Sequence, residues 1–224
     1  MFDRLIRLIG EDNLKKIQSK KILLIGVGGV GSASLEALVR NGFTNIDIID
    51  YDTVDITNLN RQLITNQNNI GSPKVKEAVL RAKSINPDIL IKKIEKRLEI
   101  DLIDELLSNN YDYIIDACDD IKIKYSLIEK NLHCNSKLIT CLGTAKKIDP
   151  TLLEITTLDK TINDPLARIL RKMTKDNHIN QKKVKVVSSR ELPRKTEGLG
   201  TASFVPNTAG FLCVNYIFKD IIND

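Results

Sequence analysis

Residues 21–32 read KILLIGVGGVGS, an apolar run that passes directly into a glycine-rich turn. The spacing Gly26-x-Gly28-x-x-Gly31, between a buried strand and a helix, is typical of nucleotide-binding turns in parallel sheets. Glycines let the backbone approach a phosphate, and the amino end of the next helix offers unpaired N–H groups and the positive end of its dipole. The stretch therefore predicts a bound nucleotide.

The rest of the chain alternates strand-like and helix-like segments. Strands are predicted at 21–25, 46–50, 89–94, 113–117, 137–142 and 153–157. Helices are predicted at 2–19, 34–41, 73–84, 102–107, 122–132, 165–172 and 207–222. Residues 175–190 are predicted as a basic polar stretch and residues 193–200 as loop. The alternation predicts a Rossmann-like, doubly wound α/β fold whose mostly parallel sheet is extended by strands from the C-terminal part.

Length and composition fit one globular unit rather than a membrane or disulfide-rich protein. The 224 residues suit a single domain, with 1–143 as a nucleotide-binding part and 144–224 as a substrate-binding, sheet-extending part. No apolar run approaches the roughly 20 residues that span a bilayer, and we expect a cytoplasmic protein. The four cysteines form no CxxC pair, which argues against structural zinc and a disulfide framework. A net charge of +5 permits an anionic partner such as RNA without requiring one.

The residues after the second predicted strand bear on the choice of nucleotide. Asp50 ends that strand, where an acid that holds a ribose belongs. Arg61 and Lys74 follow, and cations there suit a triphosphate attacked at its α-phosphorus, because they offset charge on the transition state and on departing pyrophosphate. We therefore expect ATP as a reactant rather than NAD. The alternative is that either cation is an ordinary solvated surface charge.

Four separated motifs occur in order along the first part of the chain. They are GVGGVGS at 26–32, IIDYDTVDITNLNRQ at 48–62, GSPK at 71–74 and IIDACDD at 114–120. With these motifs the chain resembles the ThiF/MoeB superfamily of adenylating enzymes, which are related to ubiquitin activators. The resemblance implies that ATP and magnesium activate a carboxylate as an acyl-adenylate within a homodimer.

The same resemblance implies a set of site residues. Asp50 would hold the ribose, and Asp119 would help bind magnesium. Arg4 would reach across a dimer interface to the neighbouring ATP. The implied catalytic residues are Arg4, Arg61, Lys74 and Asp119, and the implied nucleotide-binding residues are Gly26, Gly28, Gly29, Gly31, Asp50, Asp52, Asn58 and Gln62. Of these, Asn58, Arg61, Gln62 and Lys74 would surround the phosphates.

The second half of the chain narrows the resemblance to one branch. DPT at 149–151, KTINDPLARILR at 160–171, VVSSRELP at 186–193 and GLGTASFVPNTAGF at 198–211 occur in order. Together they resemble the TcdA-type tRNA threonylcarbamoyladenosine dehydratases. This implies ATP-dependent dehydration, through an acyl-adenylate on the threonyl carboxylate, of threonylcarbamoyladenosine in tRNA, with release of AMP and pyrophosphate. Ring closure by a nitrogen of the same substituent needs no enzyme thiol.

The same sequence is compatible with several alternatives. The chain could adenylate the C-terminal diglycine of a small sulfur-carrier protein, or be a non-catalytic partner subunit, or be an NAD dehydrogenase. A sulfur-transfer partner is in doubt because residues 195–200 contain no cysteine, and a monovalent cation is left open. The basic residues between Lys172 and Lys195 either contact tRNA phosphates or belong to a solvated loop. The cluster of Lys92, Lys93, Lys96 and Arg97 is interpreted as a solvated strand end, and Asp164 as the cap of the helix at Pro165.

Overall fold

The computed structural model describes residues 1–223, so Asp224, the last residue of the predicted 144–224 part, lies outside it. The strands are β1 Lys21–Ile25, β2 Asn45–Asp50, β3 Leu90–Glu95, β4 Tyr113–Asp116, β5 Lys137–Cys141, β6 Leu153–Thr157 and β7 Lys185–Ser189. The helices are α1 Asp3–Ile9, α2 Glu11–Gln18, α3 Gly29–Arg40, α4 Lys74–Ile85, α5 Ile100–Leu107, α6 Ile121–Asn131, α7 Pro165–Asp176 and α8 Phe204–Asn223. None of the helices in this part of the chain is long and apolar enough to cross a membrane.

All seven strands join one sheet in the order β3-β2-β1-β4-β5-β7-β6. Neighbouring strands are parallel except for β6, which pairs antiparallel with β7 at the edge. The predicted doubly wound, mostly parallel sheet with C-terminal strands added is therefore confirmed. β1 lies between β2 and β4, so the chain leaves it in opposite directions, and ligands of such sheets bind outside the carboxyl ends of the strands at this position.

Helices cover both faces of the sheet. Ile22 and Leu24 of β1 pack in one apolar cluster with residues of α3, α4 and α8. Leu23 and Ile25 point the other way, into a second cluster with α5 and α6. A strand buried on both faces needs an uninterrupted apolar run, which is why KILLI does not alternate. A third cluster joins α7 to β7.

The single helix predicted for residues 2–19 is wrong. The chain breaks at Gly10, whose φ of 83° and ψ of 160° lie outside the helical range, so α1 and α2 are separate. The periodicity of leucine and isoleucine continued through the break and concealed it. Glycine at this position permits the left-handed backbone that the turn requires.

The predicted basic stretch 175–190 contains a strand that sequence analysis missed. Residues 186–189 of β7 are buried between β5 and β6, although the lysines before them made the whole segment look solvated. The helix predicted at 34–41 begins earlier, at Gly29, and the one predicted at 207–222 begins at Phe204. Asp164 caps α7 as predicted, since its Oδ1 accepts from the Ala167 N–H at 3.0 Å.

Candidate active site at the carboxyl edge of the sheet

A cavity of about 680 Å³ opens at the carboxyl ends of the central strands, and we call it the central pocket. Its walls come from the β1–α3 turn, from the loops after β2, β3, β4 and β5, and from the segment before and at the start of α8. Most of the residues predicted for the site line it: Gly26, Gly28, Gly29, Asp50, Asp52, Asn58, Arg61, Gln62, Lys74 and Asp119. Residues that are more than 90 positions apart in sequence therefore meet in one place.

The glycine turn delivers the amino end of α3 to the central pocket. Gly28 is the N-cap, and no side chain satisfies the first N–H groups of the helix. Such unpaired donors favour a phosphate. Gly31 does not line the pocket; its role is steric, because a Cβ there would lie 1.8 Å from the Gly26 carbonyl oxygen. The close turn therefore requires glycine at that position.

Asp50 connects the glycine turn to the loop after β2. Its Oδ2 accepts from the Val27 N–H and its Oδ1 from the Asp52 N–H, both at 2.8 Å. The carboxylate is half-buried and faces the central pocket. A carboxylate oxygen has more than one lone pair, so both oxygens can still accept from ribose hydroxyls.

Lys74 and Asp52 form an ion pair at the pocket wall, with Nζ and Oδ2 2.8 Å apart. The lysine side chain is 7% exposed and the aspartate 46%. The Lys74 N–H also donates to the Asp52 carbonyl, so both the backbone and the side chain are fixed. A nearly buried ammonium on the first residue of α4 is suited to an anionic ligand.

Arg61 and Asn58 lie on the short turns after β2. Arg61 Nη1 donates to the Thr57 carbonyl at 2.8 Å and to Asn60 Oδ1 at 2.9 Å, which leaves further guanidinium N–H groups for a ligand. Asn58 Oδ1 accepts from the Asp55 N–H in a capping box. Asn207 of α8 connects the glycine turn to the loop after β2. Its side-chain amide is oriented with the nitrogen toward the Gly29 and Arg61 carbonyls, and it donates to both.

Gln62 carries a polar atom that lacks a partner among the described residues. Its side chain lines the central pocket and the residue is 5% exposed, yet Oε1 is buried without a hydrogen bond. Leaving such an acceptor unpaired costs about 1–3 kcal/mol. An unsatisfied atom in a pocket wall is an observation that points to a ligand, independently of the glycine turn.

Asp119 stands in the loop after β4 and is exposed to the pocket. Its carboxylate forms no hydrogen bond or ion pair with any residue between 1 and 223. Within the same range, no group of three or more acidic, histidine or cysteine side chains is arranged to hold a metal ion by itself. A free carboxylate beside a phosphate site nevertheless fits magnesium, which takes one or two carboxylates together with phosphate oxygens and water.

The thiol in the same loop is not activated. Burial, and then the negative charge of Asp116, raise the pKa of Cys118 well above its usual value. Its Sγ lies 3.0 Å from Asp116 Oδ1 and donates to it. A protonated thiol is a poor nucleophile, which agrees with a reaction that needs no enzyme thiol.

Lys96 and Arg97 directly follow β3 and are exposed, as predicted for a solvated strand end, but they also line the central pocket, which the sequence did not indicate. The register Asp50↔Glu95 puts the residues after β3 beside the loop after β2. The Arg97 guanidinium lies 5.2 Å from the centre of the Tyr51 ring. Only the strand order brings these side chains together, so no local pattern could have shown it.

Arg4 is a predicted site residue that lies away from the central pocket. It lies on α1, is exposed, and does not line the central pocket of its own chain. The structure does not bring it to the other site residues within one subunit. Its role therefore stays a prediction.

The basic residues predicted to form one region are divided between the amino ends and the carboxyl ends of the strands. Lys182, Lys183 and Lys185 lie at the amino end of β7, where Lys183 and Lys185 line a second cavity of about 320 Å³ with Lys137. Arg194 and Lys195 follow the carboxyl end, on the central-pocket side. A five-residue strand separates the two groups by roughly 16 Å. The second cavity shares no residue with the glycine turn, so we do not assign the site to it.

Comparison with known proteins places the chain in a family. Residues 2–147 match the ThiF family. A tRNA threonylcarbamoyladenosine dehydratase of Bacillus subtilis is 33% identical over 100% of this chain and 95% of the relative, and one of Haemophilus influenzae is 33% identical over 96% and 91%. The crystal structure of the Escherichia coli tRNA N6-threonylcarbamoyladenosine dehydratase TcdA in complex with ATP has a TM-score of 0.94 and 35% identity, covering 99% of this chain and 93% of that one.

These matches extend over residues 1–143 and residues 144–224 alike, and the fold, the glycine turn and the charged pocket agree with them. The chain belongs to the ThiF family and, within it, to the tRNA threonylcarbamoyladenosine dehydratases.

Proposed function

We propose that this protein is an ATP-dependent tRNA threonylcarbamoyladenosine dehydratase. The observation that carries the proposal is the meeting of Lys74, Arg61 and the open amino end of α3 in one pocket, in a chain that matches named dehydratases over its whole length. Two cations beside unpaired helix N–H groups suit a triphosphate. We further propose that residues 1–143 bind ATP and residues 144–224 complete the substrate side.

In the first step, the threonyl carboxylate attacks the α-phosphorus of ATP and pyrophosphate leaves. Lys74 and Arg61 offset the charge that builds up on the phosphates in the transition state, and the α3 N–H groups hold them in place. Asp50 accepts from the ribose hydroxyls. Asp119 would hold magnesium, which supplies further positive charge at the phosphates. Asp52, Asn58 and Gln62 complete the wall around the nucleotide.

In the second step, the carboxyl oxygen has become part of a good leaving group. A nitrogen of the same substituent attacks the acyl carbon and AMP departs with that oxygen, so the modified nucleoside loses one water overall. Because both reacting groups belong to one substituent, the chain contributes mainly by holding them close and excluding solvent. The products are the cyclic nucleoside in tRNA, AMP and pyrophosphate.

Mass spectrometry of nucleosides from tRNA incubated with the protein and ATP tests the proposal. We expect a nucleoside lighter than threonylcarbamoyladenosine by one water, formed only with ATP. An unchanged nucleoside, together with pyrophosphate exchange stimulated by a diglycine-tailed protein, would show the sulfur-carrier adenylyltransferase instead. Calorimetry adds a second check, because magnesium and ATP should bind and NAD should not.

The proposal also covers the assembly and the location of the protein. We propose a homodimer in which Arg4 reaches the ATP of the neighbouring subunit, and a cytoplasmic location as suits a tRNA substrate. A monovalent cation requirement and a sulfur-transfer partner rest on no contact among the described residues, and neither is assigned a site.

A further inference from the structure

Two lysines are buried under the carboxyl edge of the sheet and take no part in the mechanism above. Lys124 of α6 and Lys147, after β5, are each 1% exposed, and their partners Asp116 and Asp164 are fully buried. The desolvation cost of burying an ion pair often exceeds the attraction between its charges, so such pairs are weak evidence that they stabilise the fold. Their neighbours indicate another role.

Lys124 ties the ends of two adjacent strands. Its Nζ donates to both oxygens of Asp116 at 3.1 Å and to the Cys141 carbonyl at 2.8 Å, so all three hydrogens have acceptors. Burial opposes the charge, but Asp116 outweighs it and raises the pKa of Lys124. Asp116 Oδ1 also accepts from the Cys118 N–H at 3.2 Å, at the beginning of the loop that carries Asp119.

Lys147 ties the same segment from the other side. Its Nζ lies 2.9 Å from the Gly143 carbonyl and 3.4 Å from both Asp164 Oδ2 and the Ser189 carbonyl. Asp164 Oδ2 also accepts from the Gly143 N–H at 3.0 Å. Residues 141–145, which line the central pocket, are thus held between β4 on one side and the end of β7 on the other.

We propose that these two ion pairs fix residues 141–145, and with them the wall of the central pocket that these residues form, so that Lys124 and Lys147 are positioning residues for adenylation. The inference rests on the proposed function. Each lysine acts through the backbone of this segment, since both ammonium groups are buried among protein acceptors. Since a displacement of about 1 Å can cost a factor of about 100 in rate, loosening the segment should lower the turnover number.

The test compares three variants of the full-length protein. Lys124→Met with Asp116→Asn removes the first pair while keeping an acceptor for Cys118, and Lys147→Met removes the second ammonium. The matched control is Tyr111→Phe with Asp47→Asn, which removes another buried hydrogen bond, 2.7 Å long, that does not line the central pocket. In both lysine variants, we expect amides 141–147 to exchange hydrogen at least about tenfold faster and kcat for pyrophosphate release to fall about 10- to 100-fold.

The dissociation constant of ATP measured without magnesium should stay within about twofold, because the glycine turn, Arg61 and Lys74 lie on other segments of the chain. The control should match the parent in both kcat and exchange of 141–147. A folded lysine variant with the parent's kcat, or with unchanged exchange in this segment, overturns the proposal. If the double variant does not fold, Lys124→Arg keeps the charge but not the three-acceptor geometry, and parent-like kcat there overturns it equally. If the parent itself makes no product, the proposed function fails, whereas the exchange measurement still decides whether the pairs fix the segment.

Discussion

At the scale of single residues, the central pocket contains atoms that the protein alone leaves unsatisfied. Gln62 Oε1 is buried without a partner among the described residues, and the Asp119 carboxylate is free to bind a ligand. Other buried polar groups are mostly paired; Asn69, for example, donates to the Ile64 carbonyl and accepts from the Asn66 N–H. Thr140 Oγ1 and Ser188 Oγ, which do not line the central pocket, are also buried without a partner among the described residues. Of these three unpaired oxygens only Gln62 Oε1 lines the central pocket, where a polar ligand can supply the missing partner.

Replacing Gln62 with leucine should separate stability from binding. The substitution removes an unpaired acceptor and keeps a similar volume, so we expect unfolding in urea to show the same or a slightly higher free energy, within about 1 kcal/mol. Affinity for ATP, measured by calorimetry, should fall about tenfold because one hydrogen bond in the complex is lost.

Asn69→Leu is the matched control, since Asn69 is a buried amide outside the pocket. It should lose about 1–3 kcal/mol of stability and keep the parent's ATP affinity. Parent-like ATP binding by Gln62→Leu would show that the nucleotide does not satisfy Gln62.

At the scale of elements, α3 must hold its amino end against the phosphates, and α4 and α8 support it. Glu36 of α3 accepts from Arg81 of α4 at 2.8 and 2.9 Å and from Arg40 at 2.6 Å. Gly210 lets α8 approach α3, because a Cβ there would lie 2.3 Å from the Val30 carbonyl oxygen. The glycine turn is therefore fixed by its neighbours as well as by its own sequence.

The Glu36 network predicts a pH dependence of stability. Burial alone would raise the pKa of Glu36, but hydrogen bonds and charge from Arg81 and Arg40 lower it below the ordinary value of 4.5. A lowered carboxyl pKa stabilises the fold fully above the unfolded value, and this contribution is lost as pH falls from about there through the folded value. We expect Glu36→Gln to cost about 1–2 kcal/mol at pH 7 and progressively less below pH 4.5.

Urea unfolding between pH 7 and pH 3 measures this difference. The control is Glu105→Gln, which replaces an exposed glutamate of α5 and should match the parent at each pH. A cost for Glu36→Gln that stays constant from pH 7 to pH 3 would contradict the assigned role of the ionised carboxylate.

The elements that could be predicted from the sequence are those that leave a local pattern in it. β1 and the glycine turn were predictable because a strand buried on both faces and a helix opening on glycine each leave a local pattern. The break at Gly10 and the strand β7 were missed, since periodicity ran through the first and flanking lysines obscured the second. Lys96, Arg97 and Lys124 join the pocket only through strand order and packing, which no single segment specifies.

At the scale of the whole molecule, the division of basic residues limits where RNA can contact the protein productively. The central pocket opens at the carboxyl edge, so a nucleotide that enters it brings its flanking phosphates to that edge first. Lys146, Arg194 and Lys195 lie on this side, where the Arg194 N–H donates to the Lys146 carbonyl. Lys182, Lys183 and Lys185 lie on the opposite side of the molecule, at the amino end of β7.

Two triple variants of equal charge change test this arrangement. Neutralising Lys146, Arg194 and Lys195 to glutamine should weaken tRNA binding and flatten its salt dependence by up to about three phosphate contacts. Neutralising Lys182, Lys183 and Lys185 should change the slope by less than about one contact. Filter binding over a salt series with threonylcarbamoyl-modified tRNA measures both, and the reverse ranking would move the RNA surface to the opposite edge.

At the scale of the assembly, Arg4 lies outside the central pocket of its own chain and is exposed on α1. If Arg4 completes the site of a second subunit, Arg4→Ala and Asp119→Ala should each fold and each lose most activity, because every site lacks one group. Mixed dimers restore one intact site out of two, whereas the other site carries both defects. After random exchange of equal amounts, about half of the dimers are mixed, so about a quarter of the parent's activity should return. Light scattering establishes the dimer, and subunit exchange is verified with differently tagged chains. Exchanged mixtures that stay as inactive as the two variants would show that Arg4 does not act across an interface.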